Sequence, residues 1–389
     1  MKVYLFWFLL ALLIYAYLLY PIVVGIISMC KKLFKEKLKN TQDENQYPSI
    51  SIIIPAFNEA DCIEQKIENT LQLDYPKHLL QIIVVADGCT DNTIDLVKKF
   101  EFVQLIAHDT RLGKSTAINL AMQQVTNTIT VFTDANTLLN ASCLLHIVPH
   151  FLNPKVGGVA CEKQIGKSIN EHIVSQMEGF YWKYESLIKQ WESSIHSVIG
   201  AAGELFCIRT SLFSPLDASI ILDDFMLSTS ILKKEYTIAY EKKSFAVEAA
   251  TFNLYEEAKR KIRIGAGAAQ TISKIGLLPY KSIWLNIQFL SRRVIRWVIS
   301  PLALIIIFFT NFYIVQQAST QWYNIIFFFQ LCFYLLAVIG LFLHWIKQTN
   351  KIALTPFYFV FMNICMMLGW FKYLLNFQNV HWKKARRLE

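Results

Sequence analysis

The stretch Val131-Phe132-Thr133-Asp134-Ala135-Asn136-Thr137 decides how the fold is predicted, because an apolar, strand-like run changes here to polar residues. A buried strand that stops at a carboxylate places it at the carboxyl edge of a sheet, where open α/β sheets bind ligands. A hard oxygen ligand there suits a divalent cation carrying a phosphate, since Mg²⁺ is commonly held by one or two carboxylates and substrate oxygens. An isolated Asp at a strand end is more often a helix cap or turn residue, so the neighbouring strands decide its meaning.

Further apolar runs precede this stretch, and helical patterns separate them. They span residues 49–54, 81–86 and 102–106. Strands that alternate with helices predict a parallel sheet with crossover helices. Asn58 and Glu59 follow the first run, and Asp87 and Gly88 follow the second. Polar residues at several strand ends of one sheet edge favour a nucleotide site over unrelated turns.

The composition is typical of a membrane protein, with 54% hydrophobic and only 17% charged residues in a chain of 389. Three tracts contain no Asp, Glu, Lys or Arg, and they span residues 3–30, 297–346 and 352–371. Each is long enough to cross a bilayer, which takes about 20 apolar residues, and the middle tract is long enough for two crossings. The first tract lacks a small-residue cleavage site, which favours a membrane helix over a secretory signal peptide.

A basic segment at residues 31–39 follows the first tract. By the positive-inside rule it lies in the cytoplasm, so we expect an integral inner-membrane protein whose soluble domain faces the cytoplasm. The predicted segments are an N-terminal transmembrane helix (1–30), a basic linker (31–47), a soluble domain (48–258), an amphipathic interfacial segment (259–296), two to three transmembrane segments (297–376) and a basic tail (377–389). Three late crossings would put that tail outside, so either residues 356–375 are re-entrant or interfacial, or the charge rule fails.

The net charge of +9 comes largely from the basic flanks of the apolar tracts and indicates membrane anchoring. The chain contains no recognised nucleic-acid-reading module and no basic-aromatic patch, so we expect no nucleic-acid partner. The eight cysteines show neither paired metal-ligand spacing nor a compact disulfide framework. Reduced thiols that are buried as small hydrophobic groups are the predicted state.

Further polar motifs follow in the chain. They are Arg111-Leu112-Gly113-Lys114, the acidic pair Asp223-Asp224 at the start of a helical pattern, and Arg260-Lys261-Ile262-Arg263. Together with the runs above, they resemble the family 2 glycosyltransferases of the membrane-embedded type, which include poly-N-acetylglucosamine, cellulose and hyaluronan synthases. The resemblance covers almost the whole chain. It implies an α/β domain of the GT-A type, with a mostly parallel sheet and helices on both faces, together with transmembrane helices.

The resemblance implies a nucleotide site built by three motifs. Residues 51–59 are similar to the family's opening strand and nucleotide-contacting turn, and residues 84–91 are similar to the motif whose acid lies near the uracil and ribose. Residues 111–114 are similar to the basic element after the third strand, whose lysine would serve the nucleotide or diphosphate. The implied contacts are Pro55, Ala56, Asn58, Glu59, Asp87, Gly88 and Lys114.

Two acidic motifs imply the chemistry. Asp134 occupies the place of the family's metal-binding acid-any-acid motif and would hold Mg²⁺ or Mn²⁺. Asn136 stands where many relatives have a second Asp, so Asp134 is the principal carboxylate and Asn136 an assisting ligand at most. Asp224 is similar to the second acid of the family's pair, the general base that takes the acceptor's proton in an inverting transfer. Asp223 itself is interpreted as a helix N-cap.

The processive synthases of this family also carry a Gln/Arg-any-any-Arg-Trp motif that holds the acceptor and the diphosphate. Residues 260–263 lie at about the right distance after Asp224 but lack the Trp, and we interpret Arg260 and Arg263 as the diphosphate contacts. Residues 293–297 have the required types but lie at the mouth of a membrane segment, where Arg and Trp act as an interfacial anchor. The departure weakens a prediction of processive synthesis.

The resemblance implies an inverting membrane-bound glycosyltransferase that moves a sugar from a UDP-sugar to a growing polysaccharide or a lipid acceptor. An export path would require the late membrane helices to bundle into a channel, alone or with an accessory subunit. The alternative is a membrane protein that binds nucleotide-sugars without transfer, which Asn136 and the incomplete Arg motif support. A transporter is disfavoured, because the membrane tracts carry almost no ionisable residue that would mark a pathway.

Overall fold

The computed structural model describes residues 1–34, 47–166, 173–249, 253–317, 320–346, 348 and 350–377. Most of the predicted linker at 31–47, and the predicted tail at 377–389 apart from its first residue, lie outside these ranges. The described residues form two compact units. The sheet unit contains residues 26–34, 47–166 and 182–249, and the helical unit contains residues 1–25, 173–181 and the described part of 253–377.

The described residues of the sheet unit form one eight-stranded sheet. Its strands are β1 (Ile50–Ala56), β2 (Leu80–Asp87), β3 (Val103–His108), β4 (Ile129–Phe132), β5 (Thr137–Leu139), β6 (Val156–Ile165), β7 (Phe206–Arg209) and β8 (Thr237–Glu248). They lie in the order β3-β2-β1-β4-β7-β6-β8-β5. The first four are parallel, as predicted, whereas β7 is antiparallel to β4 and β6, and β5 is antiparallel to β8. The predicted α/β class is confirmed, with a mixed sheet.

The helices of the described residues lie before, between and after these strands. They are α1 (Lys2–Ile14), α2 (Tyr20–Phe34), α3 (Ile63–Leu71), α4 (Thr93–Val97), α5 (Lys114–Met122), α6 (Cys143–Ile147), α7 (Ile173–Ile195), α8 (Asp223–Lys233), α9 (Leu254–Ile275), α10 (Ile283–Phe289), α11 (Ser300–Gln316), α12 (Gln321–Trp345) and α13 (Lys351–Leu374). Two π-helical stretches, Tyr15–Leu19 and Leu290–Ile299, connect α1 to α2 and α10 to α11.

Strand β1 shows why an unbroken apolar run forms the centre of the sheet. It lies between β2 and β4, and Ile50, Ile52 and Ile54 have no exposed surface. Helix α3 adds Ile63 and Ile67 to the same core cluster. Each buried Ile side chain contributes about 1.5–3 kcal/mol relative to an exposed one, so this strand and helix together fix the parallel half of the sheet.

Two strands differ from the sequence prediction. The three-residue strand β5 directly follows the Asp134 stretch and was not predicted, because so short a run has no recognisable alternation. Strand β8 continues to Glu248, whereas the apolar pattern indicated an end at Tyr240. The polar residues 241–243 break that pattern, and the pairing of β8 with β6 shifts register next to them, between Cys161 and Glu162.

Four helices of the described residues are long and apolar enough to cross a membrane, which makes this chain a membrane protein. They span Lys2–Leu33, Ile283–Gln316, Gln321–Trp345 and Lys351–Leu374. The last is one continuous helix through Pro356. The predicted amphipathic segment at residues 259–296 is not one helix, since α9 ends at Ile275, before Gly276 at φ 77°, and α10 begins at Ile283.

Helices α9 and α13 of the helical unit pack at very short range. A Cβ atom on Gly369 would lie 2.3 Å from the carbonyl oxygen of Ile262, and one on Gly265 would lie 2.8 Å from that of Met366. Small residues at a helix interface allow two backbones to approach closely, and this is a recurrent device among membrane helices. The two glycines therefore set the distance between α9 and α13.

Candidate active site

A cleft at the carboxyl edge of β1 and β4 contains the acidic residues that the sequence singled out. About 330 Å³ of space, open solvent included, lies among the residues that line it. The residues that line it are Pro55, Lys114, Ile118, Phe132, Thr133, Asp134, Gly203, Phe206, Leu216, Asp223, Asp224 and Leu227. The structure thus brings together Pro55, Lys114, Asp134 and Asp224, which lie far apart in the chain.

Lys114 is the centre of the charged cluster in this cleft. Its Nζ lies 2.7 Å from Oδ1 of Asp134 and 3.3 Å from Oδ2 of Asp223. Asp223 is the first residue of α8, and no side-chain cap is formed there, so the interpretation as an N-cap is wrong. Its carboxylate binds the ammonium group of Lys114 instead. Lys114 itself begins α5, directly after Gly113, so its position depends on the turn that precedes this helix.

The carboxyl group of Asp224 has properties that suit a base. Burial, together with the negative charge of Asp223, raises the pKa of Asp224 to about 7, although Lys114 opposes the shift. Burial alone would lower the pKa of Lys114, but Asp134 and Asp223 raise it well above its usual range. At neutral pH the cleft therefore holds a permanent cation beside a carboxyl group that can take up or release a proton.

The turn before Lys114 is held by Asp87 at the end of β2. The backbone amides of Leu112 and Gly113 donate to the two oxygens of Asp87, at 2.7 and 2.8 Å. Gly88 follows at φ 64°, and a Cβ atom there would lie 2.6 Å from the amide nitrogen of Arg111. The structure thus places Asp87 and Gly88 against the segment of residues 110–113 that leads to Lys114.

The predicted nucleotide turn after β1 is joined to the loop after β2. The Thr90 amide donates to Oδ1 of Asn58 at 2.8 Å, and Nδ2 of Asn58 donates to the Thr90 hydroxyl at 3.1 Å. Asn58 has a φ of 53°, which Asn tolerates better than most residues. Glu59 is fully buried, and its amide donates to the Thr93 hydroxyl at 2.9 Å. Asn58 and Glu59 thus shape this rim of the sheet, and Ala56 is buried in β1 beneath it.

Arg260 and Arg263 belong to α9 of the helical unit, whereas the cleft is built by residues of the sheet unit. There the guanidinium group of Arg260 forms ion pairs with Glu178 and Glu257. The other arginine motif has an anchoring contact within the same unit. Nε and Nη2 of Arg296 donate to the carbonyl oxygen of Ala16, at 3.2 and 3.0 Å.

Sequence reasoning missed residues that support the cleft from behind. Residues 197–203 looked merely small and flexible, yet a Cβ atom on Gly203 would lie 3.3 Å from Nζ of Lys114 and 3.7 Å from Oδ2 of Asp224. Lys66 was not considered, because a lysine in an amphipathic helix is normally solvent-exposed. It is fully buried, and it donates to the hydroxyl of Thr133, next to Asp134.

The available oxygen ligands suit a divalent cation whose coordination shell is completed by substrate oxygens. Among the described residues, no three His, Cys, Asp or Glu side chains form a ready metal site. The side chain of Asp134 keeps 27% of its surface exposed to the cleft, so one carboxylate is accessible. Mg²⁺ is commonly bound by one or two carboxylates, with substrate phosphates and water completing the shell. Asp134 would hold such an ion, and the amide oxygen of Asn136 is a second oxygen of suitable type.

Two family models match the chain. One, described as Glycosyl transferase family 2, matches residues 51–206, and the other, described as Glycosyl transferase family group 2, matches residues 129–374. The second match covers more than half of the chain. The two matches overlap on the strands β4, β5, β6 and the start of β7, so together they include the acidic cleft and the late membrane helices.

Curated relatives include two kinds of synthase. The poly-beta-1,6-N-acetyl-D-glucosamine synthase of Staphylococcus epidermidis is 25% identical over 225 residues, which cover 55% of this chain and 53% of that protein. The beta-monoglucosyldiacylglycerol synthase of Nostoc is 26% identical over 192 residues, which cover 47% of this chain and 39% of that protein. The chain spans about half the length of the curated relatives it matches.

Among solved structures, the mannosyltransferase PcManGT from Pyrobaculum calidifontis, in complex with GDP-Man and Mn²⁺, superposes with a TM-score of 0.70. The sequences are 23% identical, and the alignment covers 96% of this chain and 100% of that one. At this identity the similarity establishes the fold: a sheet domain of the GT-A type combined with membrane-length helices.

Proposed function

The chain belongs to the family 2 glycosyltransferases, and we propose that it is an inverting, metal-assisted transferase that moves a sugar from a UDP-sugar to a polysaccharide or glycolipid acceptor. The observation that carries this proposal is the meeting of Lys114, Asp134, Asp223 and Asp224 in one cleft at the sheet edge. A diphosphate leaving group needs positive charge beside it, and an acceptor hydroxyl needs a base. The cleft offers both within one cavity.

The proposed leaving-group side of the reaction involves Asp134 and Lys114. A cation bound to Asp134 would offset the negative charge that develops on the diphosphate as the glycosidic bond breaks. The ammonium group of Lys114 already lies 2.7 Å from Asp134, so it can contribute a second positive charge to the same phosphate oxygens. In this proposal Arg260 and Arg263 are further diphosphate contacts, and Arg260 would exchange its carboxylate partners for phosphate.

The proposed acceptor side depends on Asp224. The acceptor oxygen attacks the anomeric carbon, the bond from that carbon to the diphosphate oxygen breaks, and Asp224 takes the hydroxyl proton. This displacement needs one base and no covalent intermediate. A carboxyl group whose pKa is about 7 is a stronger base than an ordinary aspartate and still partly deprotonated at neutral pH.

The nucleotide would lie on the rim formed by the turns after β1 and β2. Pro55, Ala56, Asn58 and Glu59 contribute the first turn, and the segment of Asp87 and Gly88 contributes the second. The hydrogen bonds between Asn58 and Thr90 support this proposal, because they hold the two turns at a fixed separation. Base and ribose would then be bound by a preformed rim, with the diphosphate directed toward Lys114.

The acceptor and the membrane orientation follow from different observations. The names of the relatives indicate a polysaccharide product in one and a glycolipid product in the other, so both acceptor classes are proposed. Lys31 and Lys32 lie at the end of α2. By the positive-inside rule, we propose that the sheet unit lies on the cytoplasmic side of the inner membrane. Export of a growing chain would need a channel between the membrane helices, or an accessory subunit.

The proposal is tested by measuring nucleotide release from purified full-length protein with a panel of UDP-sugars and GDP-mannose, with Mn²⁺, with Mg²⁺ and with EDTA. We expect release from one UDP-sugar, dependent on the metal. Asp134→Ala should lower it at least about 10²-fold without changing the melting temperature by more than a few degrees. Binding without release from any donor would favour the nucleotide-sugar-binding protein, and metal-dependent turnover by Asp134→Ala would contradict the assigned ligand.

A further inference from the structure

A buried lysine lies behind the Asp134 segment. Lys66 belongs to α3, and its side chain has no exposed surface. Its Nζ donates to the Thr133 hydroxyl at 2.8 Å, to the Thr137 carbonyl at 2.7 Å and to the Thr137 hydroxyl at 3.4 Å. An ammonium group has three hydrogens to donate, and these three oxygens account for all of them.

The acceptors of Lys66 are all uncharged, although a buried ammonium group is costly without a counter-charge. Asp134 provides that charge from the segment between the two threonines. Burial lowers the pKa of Lys66 to about 7, and the negative charge of Asp134 opposes this shift more than any other group. A leucine or methionine could fill the same volume without the desolvation cost, so packing alone does not explain a lysine at this position. The lysine differs from them by the three hydrogen bonds that it donates.

The ammonium group also determines where both threonine hydroxyls direct their own hydrogens. When it is protonated, Lys66 can only donate, so each hydroxyl accepts from it and can donate its own hydrogen elsewhere. The Thr137 hydroxyl donates to the backbone oxygen of Asp134 at 2.9 Å, and the Thr133 hydroxyl donates to the backbone oxygen of Glu204 at 2.8 Å. Thus one cation organises the Asp134 turn and, through Thr133, the segment that contains Gly203.

The second of these segments reaches the other charged groups of the cleft. Gly203 precedes Glu204 and packs against Lys114 and Asp224, at the distances given above. Lys66 therefore touches none of the groups proposed to react. It is hydrogen-bonded directly to Thr133 and Thr137 and reaches the segment that contains Gly203 only through the Thr133 hydroxyl. Residues that hydrogen-bond to a metal-binding segment in this way fix the orientation of the metal ligands. Mutation of such residues commonly lowers metal affinity or activity 10- to 100-fold.

We propose that Lys66 is a positioning residue of the transfer site, whose ammonium group orders residues 133–137 so that Asp134 faces the donor diphosphate and its cation. This inference rests on the proposed function, because it assigns Lys66 a role only if Asp134 holds the cation. It predicts that removing the ammonium group affects metal-dependent nucleotide binding more than it affects the fold.

The test uses full-length Lys66→Met, which keeps a long apolar side chain and removes all three donors. UDP binding is measured by titration calorimetry with and without Mn²⁺, beside the melting temperature. We expect Lys66→Met to weaken UDP binding in Mn²⁺ about 10-fold or more, and to change binding without Mn²⁺ by less than about threefold. Equal weakening under both conditions would overturn the positioning role.

The matched control is Asn69→Ala, one turn further along α3. The Asn69 side chain holds the backbone of Leu139 in β5, donating to its carbonyl at 2.9 Å and accepting from its amide at 2.8 Å, without touching Thr133 or Thr137. It should lower the melting temperature and leave Mn²⁺-dependent UDP binding unchanged. If both variants lost this binding equally at an equal loss of melting temperature, Lys66 would be merely structural.

A second variant, Thr133→Val, keeps the shape of the side chain and removes the nearer hydroxyl acceptor of Lys66. If Lys66→Met does not fold, Thr133→Val is the variant that tests the inference. We expect it to weaken Mn²⁺-dependent UDP binding in the same direction, and unchanged binding would overturn the inference. If the wild-type protein bound no UDP in the presence of Mn²⁺, the proposed function itself would fail. This result differs from a Lys66→Met variant whose UDP binding equals that of the wild type, which would contradict only the role of Lys66.

Discussion

At the scale of single residues, the acidic residues of the cleft have different surroundings, and we propose different roles for them. Asp134 and Asp223 form ion pairs with Lys114, at 2.7 and 3.3 Å. Asp224 is next to a second carboxylate and is desolvated, so its proton is retained to higher pH. In the proposed mechanism the same residue type therefore supplies a cation ligand, Asp134, and a proton acceptor, Asp224.

The raised pKa of Asp224 predicts the pH dependence of activity. A general base works only when deprotonated, so nucleotide release should rise as the pH passes through about 7 and level off above it. Asp224→Asn should lower release roughly 10²- to 10⁴-fold and abolish this rise. Rates measured between pH 5.5 and 9 check the expectation, and Asp95→Asn at an exposed aspartate is the control. An unchanged pH profile in Asp224→Asn would remove this residue from the mechanism.

The sequence singles out candidate site residues where a motif marks a strand or helix end, and their roles stay a prediction. Asp134, Asp224 and Lys114 were named in this way, and the structure places them in one cleft. Lys66 was missed because its helix shows only an amphipathic pattern, in which a lysine beside Ile67 belongs to no motif. Whether such a lysine points to solvent or to the core depends on the strands that pack against it, and these come from distant parts of the chain.

At the scale of elements, the carboxyl edge of the sheet is held by contacts between neighbouring turns. Asp87, at the end of β2, accepts from two amides of the turn that begins α5. The parallel strands near this edge followed from the apolar runs, whereas their order in the sheet comes from the structure. The antiparallel strand β5 and the second half of β8 did not, because their pairing is determined by each other and not by a local pattern.

The turn at Gly88 can be tested with a pair of alanine variants. Gly88→Ala combines a positive φ with a Cβ atom 2.6 Å from the Arg111 backbone, whereas Gly113→Ala has a positive φ and open space around it. Backbone strain alone should cost each variant about 1–3 kcal/mol of unfolding free energy. We expect a larger loss for Gly88→Ala, with weaker UDP binding because the turn before Lys114 must move. Equal losses of unfolding free energy, measured by denaturant unfolding, would show that the close approach of residue 88 to the Arg111 backbone is unimportant.

At the scale of the whole molecule, the chain combines a GT-A sheet unit with a helical unit whose interior contains charged groups. Glu257 of α9 has no exposed surface and forms ion pairs with Arg260 and Lys261. The hydroxyl of Tyr358 in α13 donates to the same carboxylate at 3.2 Å. The apolar tracts predicted the membrane helices from the sequence, but they did not reveal α9 as a partner of α13, since α9 carries many charges.

The close packing of α9 on α13 gives the prediction at this scale. Gly369→Ala places a Cβ atom 2.3 Å from the Ile262 carbonyl, so the two helices must separate. We expect a loss of melting temperature and lower nucleotide release. Gly179→Ala in α7 is the matched control, because nothing lies within 4 Å of the added atom and alanine is the better helix former by about 1 kcal/mol. A Gly369→Ala protein as stable as Gly179→Ala would contradict this packing.

The contact between Arg296 and Ala16 has a consequence for how the protein is made. The two residues are separated by 280 positions, and the carbonyl group that accepts both hydrogen bonds lies in the π-helical stretch of the first membrane helix. That helix is synthesised first, but its partner guanidinium group is added only after the entire sheet unit. The N-terminal helix is therefore made long before the group that donates to this carbonyl, and the helical unit is completed only late in biosynthesis.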